Sequence, residues 1–127
     1  MIQINSYIKV VDNSGIRIVK CLGILNNNNS NKLKLGDIFI GSIKKLNKKY
    51  KNEKIKKGNI VSCVLVQNKI FYKKKNDIKI KFFSNSCIIL NDQKLPMGTK
   101  IFCSIIAEVF RKKKLYKILI LTKKILI

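Results

Sequence analysis

The sequence contains no histidine, and aspartate and glutamate together number only six. Acid–base and nucleophilic catalysis depend on imidazole, on paired carboxylates or on an activated thiol or hydroxyl. The six acids are scattered, with no pair at catalytic spacing, and the cysteines are far apart. An enzyme is therefore the least favoured functional class, and we expect no cofactor.

The four cysteines also lack the spacing of a metal site. Cys21, Cys63, Cys87 and Cys103 form no Cys-x-x-Cys pair, whereas structural zinc sites need tighter clusters of cysteine and histidine. Three of them lie in apolar surroundings, which favours buried free thiols in a reducing compartment. A disulfide framework is the alternative.

Only Arg17 and Arg111 are arginines, and lysine, asparagine and isoleucine are abundant, as in a gene rich in adenine and thymine. Lysine binds phosphate as a point charge, while the arginine fork is the usual tool for bidentate recognition of guanine. If the partner is a nucleic acid, we expect most of the affinity to come from its backbone.

The most prominent feature of the composition is a large positive charge. Lysine and arginine number 28, the formal net charge is +22, and 46% of the residues are hydrophobic. The hydrophobic fraction argues for a folded core, and 127 residues suit a single domain spanning residues 1–127. A compact domain with this charge repels itself, so we expect a polyanion, above all nucleic acid, around it; a basic surface that serves only solubility is the alternative.

No apolar run approaches the ~20 residues of a membrane-spanning helix. The first residues, Met1 to Ser6, show neither a signal peptide nor an amphipathic presequence, so we expect the protein to act where it is made. The tail from Leu115 alternates lysine with isoleucine and leucine. We favour packing of this tail against the domain or a partner protein over binding to an anionic membrane.

Short apolar runs separated by turn residues predict a mainly β fold. We expect a bulge at Gly23 and predict strands at 8–11, 17–25, 38–43, 60–66, 78–82 and 87–90. Ile101 and Phe102 are expected to re-enter the core. Ile105, Ile106, Val109 and Phe110 fit one face of a short helix with Ser104 as its N-cap. The pattern predicts a small closed β-barrel with a terminal helix.

Lysines concentrate in a loop at 44–57 and in a hairpin at 72–82. Tyr50, in the loop, is a candidate for stacking on RNA bases, although ordinary loop packing is favoured for it. As phosphate-binding residues for RNA we select Lys9, Arg17, Lys44, Lys45, Lys48, Lys49, Lys51, Lys54, Lys56, Lys57, Lys73, Lys74, Lys75, Lys79 and Lys81.

Blocks of sequence spread over nearly the whole chain resemble the family of the large-ribosomal-subunit protein numbered fourteen in the universal nomenclature. The blocks that carry the resemblance are Met1-Ile2-Gln3, Val11-Asp12-Asn13-Ser14-Gly15, Gly36-Asp37-Ile38, Lys56-Lys57-Gly58, Val64-Leu65-Val66, Asn85 with Cys87-Ile88-Ile89-Leu90, Gly98-Thr99-Lys100-Ile101-Phe102, and Glu108 with Arg111.

The resemblance implies a closed five-stranded β-barrel with a projecting basic hairpin and short C-terminal helices. It implies a structural constituent of the large subunit that binds large-subunit rRNA, contacts neighbouring large-subunit ribosomal proteins and touches small-subunit rRNA in an intersubunit bridge. A docking surface for ribosome-silencing or anti-association factors would fall on Thr99, Lys100 and Lys117.

The chain departs from the family pattern in three places. Lys75-Asn76-Asp77 stands where the family usually has Pro-Asp-Gly at the hairpin tip, which puts the turn type in question. Phe102-Cys103-Ser104 replaces Phe-Gly-Pro before the helix, and Thr122-Lys123 replaces Ala-Pro in the tail, so the path of the tail is open.

The compositional bias, the reduced cysteines and the missing presequence favour a mitochondrial, organelle-encoded protein; a plastid or an AT-rich bacterial cytoplasm is the alternative. The rival function is a free-standing RNA-binding regulator or chaperone with a basic β-barrel.

Overall fold

A computed structural model describes residues 4–25, 33–49, 55–74 and 77–126, except for the side chain of Lys123. The polar tract predicted as a loop at 26–31 and the predicted RNA-binding residues Tyr50, Lys51, Lys54 and Lys75 lie outside the described residues.

The described part of the chain forms nine strands and two short helices. In chain order they are β1 (Tyr7–Val10), β2 (Ile16–Ile24), β3 (Ile38–Leu46), β4 (Ile60–Gln67), β5 (Tyr72–Lys73), β6 (Lys79–Ile80), β7 (Ser86–Leu90), β8 (Ile101–Ile106), α1 (Ala107–Lys112), α2 (Tyr116–Leu121) and β9 (Thr122–Leu126).

Five of these strands close into a barrel in the order β1-β2-β3-β4-β7. Neighbouring strands are antiparallel, except that β1 and β7 run parallel where the barrel closes. The predicted five-stranded closed barrel is therefore confirmed. Closure removes the free sheet edges that would otherwise invite pairing with other chains.

Alternation of side chains explains why β2 lies in the barrel wall. Val19 and Cys21 point into the core and are almost fully buried, while Arg17 and Leu22 face solvent. Ile16, three residues before Val19, is also buried, and the register with β3 shifts between these two residues. Between Cys21 and Gly23 the register with β3 shifts. Cys21 pairs with Gly41, and Gly23 pairs with Ile40, so two residues of β2 are passed for one residue of β3. This is the bulge predicted at Gly23, and it bends the strand.

All five residues of β7 are buried, from Ser86 to Leu90. A strand buried on both faces has a continuous apolar sequence rather than an alternating one. One face of a barrel strand lines the core, so the outer face of β7 must be covered by other parts of the chain. The continuous run Cys87-Ile88-Ile89-Leu90 reflects that double burial.

The basic hairpin consists of β5 and β6, which pair with each other and form a sheet separate from the barrel. The strand predicted at 78–82 is shorter than expected, because only Lys79 and Ile80 pair with β5. The predicted alternation holds only in the second half of this segment: Phe82 is buried between the exposed Lys81 and Phe83, but Ile78 is 52% exposed.

The helix predicted in the C-terminal region begins later than expected. Ile105 and Ile106 belong to β8, and α1 begins at Ala107. Ser104 is not the N-cap; it lies in β8, where its carbonyl accepts a hydrogen bond from the Gln67 side chain at 2.9 Å. Phe102 is 50% exposed rather than in the core, because successive side chains of a strand face opposite sides and Ile101 takes the inward position.

The tail packs against the domain, as predicted. β9 pairs in parallel with β8, and α2 packs through the buried Ile118, whose carbonyl accepts a hydrogen bond from Thr122 Oγ1 at 2.6 Å. With six residues each, α1 and α2 are both far shorter than a bilayer is thick, and no other helix in the described residues is long and apolar enough to cross one.

Candidate nucleic-acid interface

Seven predicted RNA-binding residues gather at one end of the barrel, here called the β3–β4 end because β3 ends and β4 begins there. All seven are exposed: Arg17, Lys44, Lys45, Lys48, Lys49, Lys56 and Lys57. Backbone hydrogen bonds hold their loops together, from Asn47 N–H to the Gly15 carbonyl and from Gly58 N–H to the Ile43 carbonyl, each at 2.9 Å. The fold thus converts scattered lysines into one positively charged surface.

The hairpin carries a second group of candidates at the opposite end of the barrel. β4 runs from the β3–β4 end to Gln67, an eight-residue strand, so the two groups are separated by about 25 Å. Lys73, Lys79 and Lys81 are exposed, but Lys74 is only 7% exposed. Lys9 lies exposed on β1 in the barrel wall. The candidate residues therefore form two surfaces rather than one.

Acidic side chains near the hairpin and α1 already pair with lysines. Lys73 Nζ lies 3.5 Å from Asp77, and Lys112 Nζ lies 3.2 Å from Glu108. Lys113 pairs with the nearly buried Asp37 and so ties the end of α1 to the turn before β3. With 28 basic and six acidic residues, most cations still lack an internal counter-charge. Such a surface attracts a polyanion.

The predicted docking residues Thr99 and Lys100 are fixed by Asn13. The Asn13 side-chain oxygen Oδ1 accepts hydrogen bonds from the backbone N–H groups of Thr99 at 2.7 Å and Lys100 at 3.1 Å. Its amide group donates to Thr99 Oγ1 at 2.8 Å. A Cβ at Gly98 would lie 2.6 Å from Asn13 Oδ1, so the close approach requires glycine.

Lys117 lies exposed in the first turn of α2. Thr122, directly after α2, pairs with Ile101, the residue that follows Lys100. Thr99 and Lys100 thus lie just before β8, and the end of α2, the helix that carries Lys117, adjoins the start of the same strand.

Sequence reasoning missed the role of Asp12, which it treated only as part of a tight turn. The buried Asp12 carboxylate accepts hydrogen bonds from Ser14 N–H at 3.1 Å, Ser14 Oγ at 2.6 Å and Ile89 N–H at 3.0 Å. Burial raises the pKa of Asp12 above its usual value, and these hydrogen bonds oppose the increase. The signal was the run of short polar side chains, which bond to nearby backbone in turns.

The four cysteines are free thiols, as predicted. Cys21, Cys63 and Cys87 are fully buried in the barrel core, and Cys103 on β8 is partly buried. Burial raises the pKa of Cys87 well above its usual value. These side chains act as small hydrophobic residues of the core.

A closed barrel with lysine-rich loops at one end and a basic hairpin at the other is typical of small proteins that associate with RNA. A family model described as Ribosomal protein L14p/L23e matches residues 1–126. The chain belongs to this family, as its motifs indicated, and is a structural protein of the large ribosomal subunit. Its setting is therefore the ribosome, among rRNA and other ribosomal proteins.

Proposed function

We propose that the protein binds large-subunit rRNA mainly through phosphate groups and that the β3–β4 end is the principal contact. The observation that supports this most directly is the convergence of seven exposed basic side chains on that end of the barrel. Six of the seven are lysines, which neutralise phosphates without the fork geometry that reads base edges. The contact is therefore expected to follow the shape and charge of folded RNA rather than its sequence.

The hairpin supplies a second contact through Lys73, Lys79 and Lys81. Because Lys74 is almost buried, we assign it a smaller part than its neighbours. Lys9 on the barrel wall lies between the two surfaces and extends the contact along the domain. Lys51, Lys54 and Lys75 are proposed as contacts from the sequence alone.

The surface around the start of β8 is assigned to contacts across the subunit interface. Thr99 and Lys100 are held in place by Asn13, and Lys117 projects from α2 nearby. None of the three side chains is buried, so the barrel does not need them for its core. Small-subunit rRNA in an intersubunit bridge, or a ribosome-silencing factor, is the proposed partner, and neighbouring large-subunit proteins complete the environment.

We place the protein in the mitochondrial ribosome, encoded by the organelle, with a plastid or an AT-rich bacterial cytoplasm as the alternative. Support comes from the excess of lysine, asparagine and isoleucine over arginine and from four free thiols. Free thiols persist where the compartment is reducing.

Cofractionation in salt tests this proposal against a free-standing RNA-binding regulator. In lysates of the source cells, the protein should sediment with large subunits at low and moderate salt and be released only at high salt, because phosphate contacts weaken as salt rises. Sedimentation apart from large subunits already at low salt would refute the ribosomal assignment. Separate fractionation of mitochondria, plastids and cytosol decides the compartment.

A further inference from the structure

Two phenylalanines beside the hairpin are exposed to an unusual extent. Phe71, just before β5, exposes 61% of its surface, and Phe83, three residues after β6, exposes 96%. Phenylalanine normally contributes to a core, so a pair of open rings in one small element points to a ligand that covers them.

The surroundings of Phe71 are basic. Tyr72 pairs with Ile80, so the preceding Phe71 lies across the base of the hairpin from Lys81. The Lys81 ammonium lies 5.2 Å from the centroid of the Phe71 ring, within the range of a cation–π contact. A largely exposed aromatic ring with a cation over it suits a nucleotide, because the ring can stack on the base and the ammonium can donate hydrogen bonds to the phosphate.

There is space beside the ring for a base. Phe71 and Tyr72 line a groove of about 640 Å³ together with Leu33, Leu35 and Val109. The groove lining is mainly apolar, which suits a flat, weakly hydrated base, and Lys34, Lys112 and Lys113 also line it, which suits the phosphate of a nucleotide.

We propose that Phe71 and Phe83 are stacking platforms for unpaired rRNA bases, with Lys81 binding the phosphate next to the base on Phe71. This site deepens the proposed rRNA binding and rests on it. An RNA ligand is favoured over a protein one because three exposed lysines, Lys73, Lys79 and Lys81, lie in or next to the hairpin that the two rings flank. The hairpin thus reads unpaired RNA, in contrast to the described residues of the β3–β4 end, whose candidate contacts are all basic side chains.

The test compares binding of the full chain to two probes, a single-stranded 12-nucleotide RNA that contains 2-aminopurine and a 12-base-pair RNA duplex. Phe71→Ala and Phe83→Ala should each weaken single-strand binding by about fivefold or more, because stacking on an aromatic side chain contributes about 1–3 kcal/mol per base. Duplex binding should hardly change, and quenching of 2-aminopurine should diminish. Tyr116→Ala, at an exposed aromatic residue on α2 beside Lys117, is the matched control and should bind like the wild type.

Further variants separate stacking from apolar contact and from charge. Phe71→Tyr should retain affinity, while Phe71→Leu should lose it, since leucine keeps the apolar surface but not the aromatic face. Phe71→Ala should leave the salt dependence of binding unchanged, and Lys81→Gln should reduce its slope by about one. Folding of each variant is checked by its melting temperature.

Equal single-strand affinity of wild type and Phe71→Ala would overturn the stacking site while leaving the proposed rRNA binding intact. Full affinity of Phe71→Leu would also overturn it, because an apolar contact of the kind made with proteins would then be sufficient. Failure of the wild type to bind either probe would instead count against rRNA binding itself.

Discussion

The Asp12 carboxylate accepts a hydrogen bond from the Ile89 backbone N–H at 3.0 Å, across 77 residues of sequence. This bond continues the seam at which the barrel closes, where β1 and β7 pair in parallel through Lys9 with Ser86 and Val10 with Cys87. Asp12 also forms a β-bridge with Ile101 at the start of β8. A single turn residue therefore joins the barrel seam to the C-terminal region.

Replacing Asp12 with asparagine should destabilise the domain by about 1–3 kcal/mol, the cost of leaving a buried polar group without its partner. The amide has one accepting oxygen, whereas the carboxylate uses both of its oxygens, one toward Ser14 and one toward Ile89. Urea unfolding at fixed salt measures the difference. Ser86→Ala, at another buried polar side chain of the seam, is a useful comparison and should cost less.

The stability of the Asp12 variant should also differ from the wild type in its pH dependence. The pKa of Asp12 is raised in the folded state above its ordinary value of 3.8. Its contribution to the free energy of unfolding is therefore largest at pH values below 3.8 and declines as pH rises through the folded-state pKa. The wild-type advantage over Asp12→Asn should therefore be greatest at the acidic end of the range. An advantage that grew with pH would mean that the hydrogen bonds, not burial, dominate.

Glycine-to-alanine substitutions at Gly36 and Gly58 form a matched pair. Both residues have positive φ, +81° and +87°, so alanine is strained at either position by about 1–2 kcal/mol. Among the described residues, a Cβ at Gly58 would meet nothing within 4 Å, but at Gly36 it would lie 2.9 Å from Lys113 Cδ and 3.1 Å from Val109 Cγ1. Gly36→Ala should therefore cost more than Gly58→Ala, because it also displaces the Lys113–Asp37 ion pair. Equal urea midpoints for the two variants would show that α1 can move away from Gly36 without loss of stability.

The barrel could be predicted because its signals are local. The apolar run at 60–66 and the run at 87–90 identify buried strands from a few residues each, and Gly23 marks a bulge in its own strand. The C-terminal region could not be predicted in the same way. Ile105 and Ile106 fit a helical face, but they pair with Ile125 and Leu126, about 20 residues away across two helices. Long-range parallel pairing leaves no local pattern that excludes a helix.

In the candidate site, too, local features could be predicted from the sequence and long-range ones could not. The lysines were visible in the sequence, but their separation into two surfaces depends on the barrel's strand order. The contact between Asn13 and Thr99 joins residues that are 86 positions apart and could not be deduced from spacing. The burial of Lys74 could not be predicted for the same reason, because the sequence of a lysine-rich hairpin does not show which lysine faces inward.

All four cysteines should react with a thiol reagent in denaturant without prior reduction, because each is free. In the native protein the reaction should be slow, and Cys103 should react first because it is the least buried. Burial raises the pKa of Cys103 to about 12, so even this thiol carries little reactive thiolate at neutral pH. Mass spectrometry of the labelled peptides gives the order. A native mass two units lower for each pair of cysteines would reveal disulfides instead.

The salt dependence of RNA binding should map the phosphate contacts at the β3–β4 end. Each of Lys44→Gln and Lys56→Gln should reduce the slope of log affinity against log salt by about one, because each removes one neutralised phosphate. Lys112→Gln should change the slope less, since this lysine lies on α1 and already pairs with Glu108 at 3.2 Å. Filter binding over a series of salt concentrations provides the slopes. Affinity that did not depend on salt would contradict binding through phosphates.

Reversing the charge of Lys100 and Lys117 should separate assembly from contact with the other subunit. Both side chains are exposed, so the double variant Lys100→Glu/Lys117→Glu should change the free energy of unfolding by about half a kcal/mol or less. Large subunits should still incorporate it, because the β3–β4 end and the hairpin are intact. Association with small subunits, or with a silencing factor, should weaken, because two added negative charges repel an acidic partner. Lys94→Glu/Lys114→Glu makes the same charge change at two exposed lysines on other segments and should associate normally. Sucrose-gradient sedimentation of purified subunits measures both incorporation and association. If the first variant failed to enter the large subunit while any incorporated copies associated normally, Lys100 and Lys117 would be assembly contacts, and the interface would have to lie elsewhere.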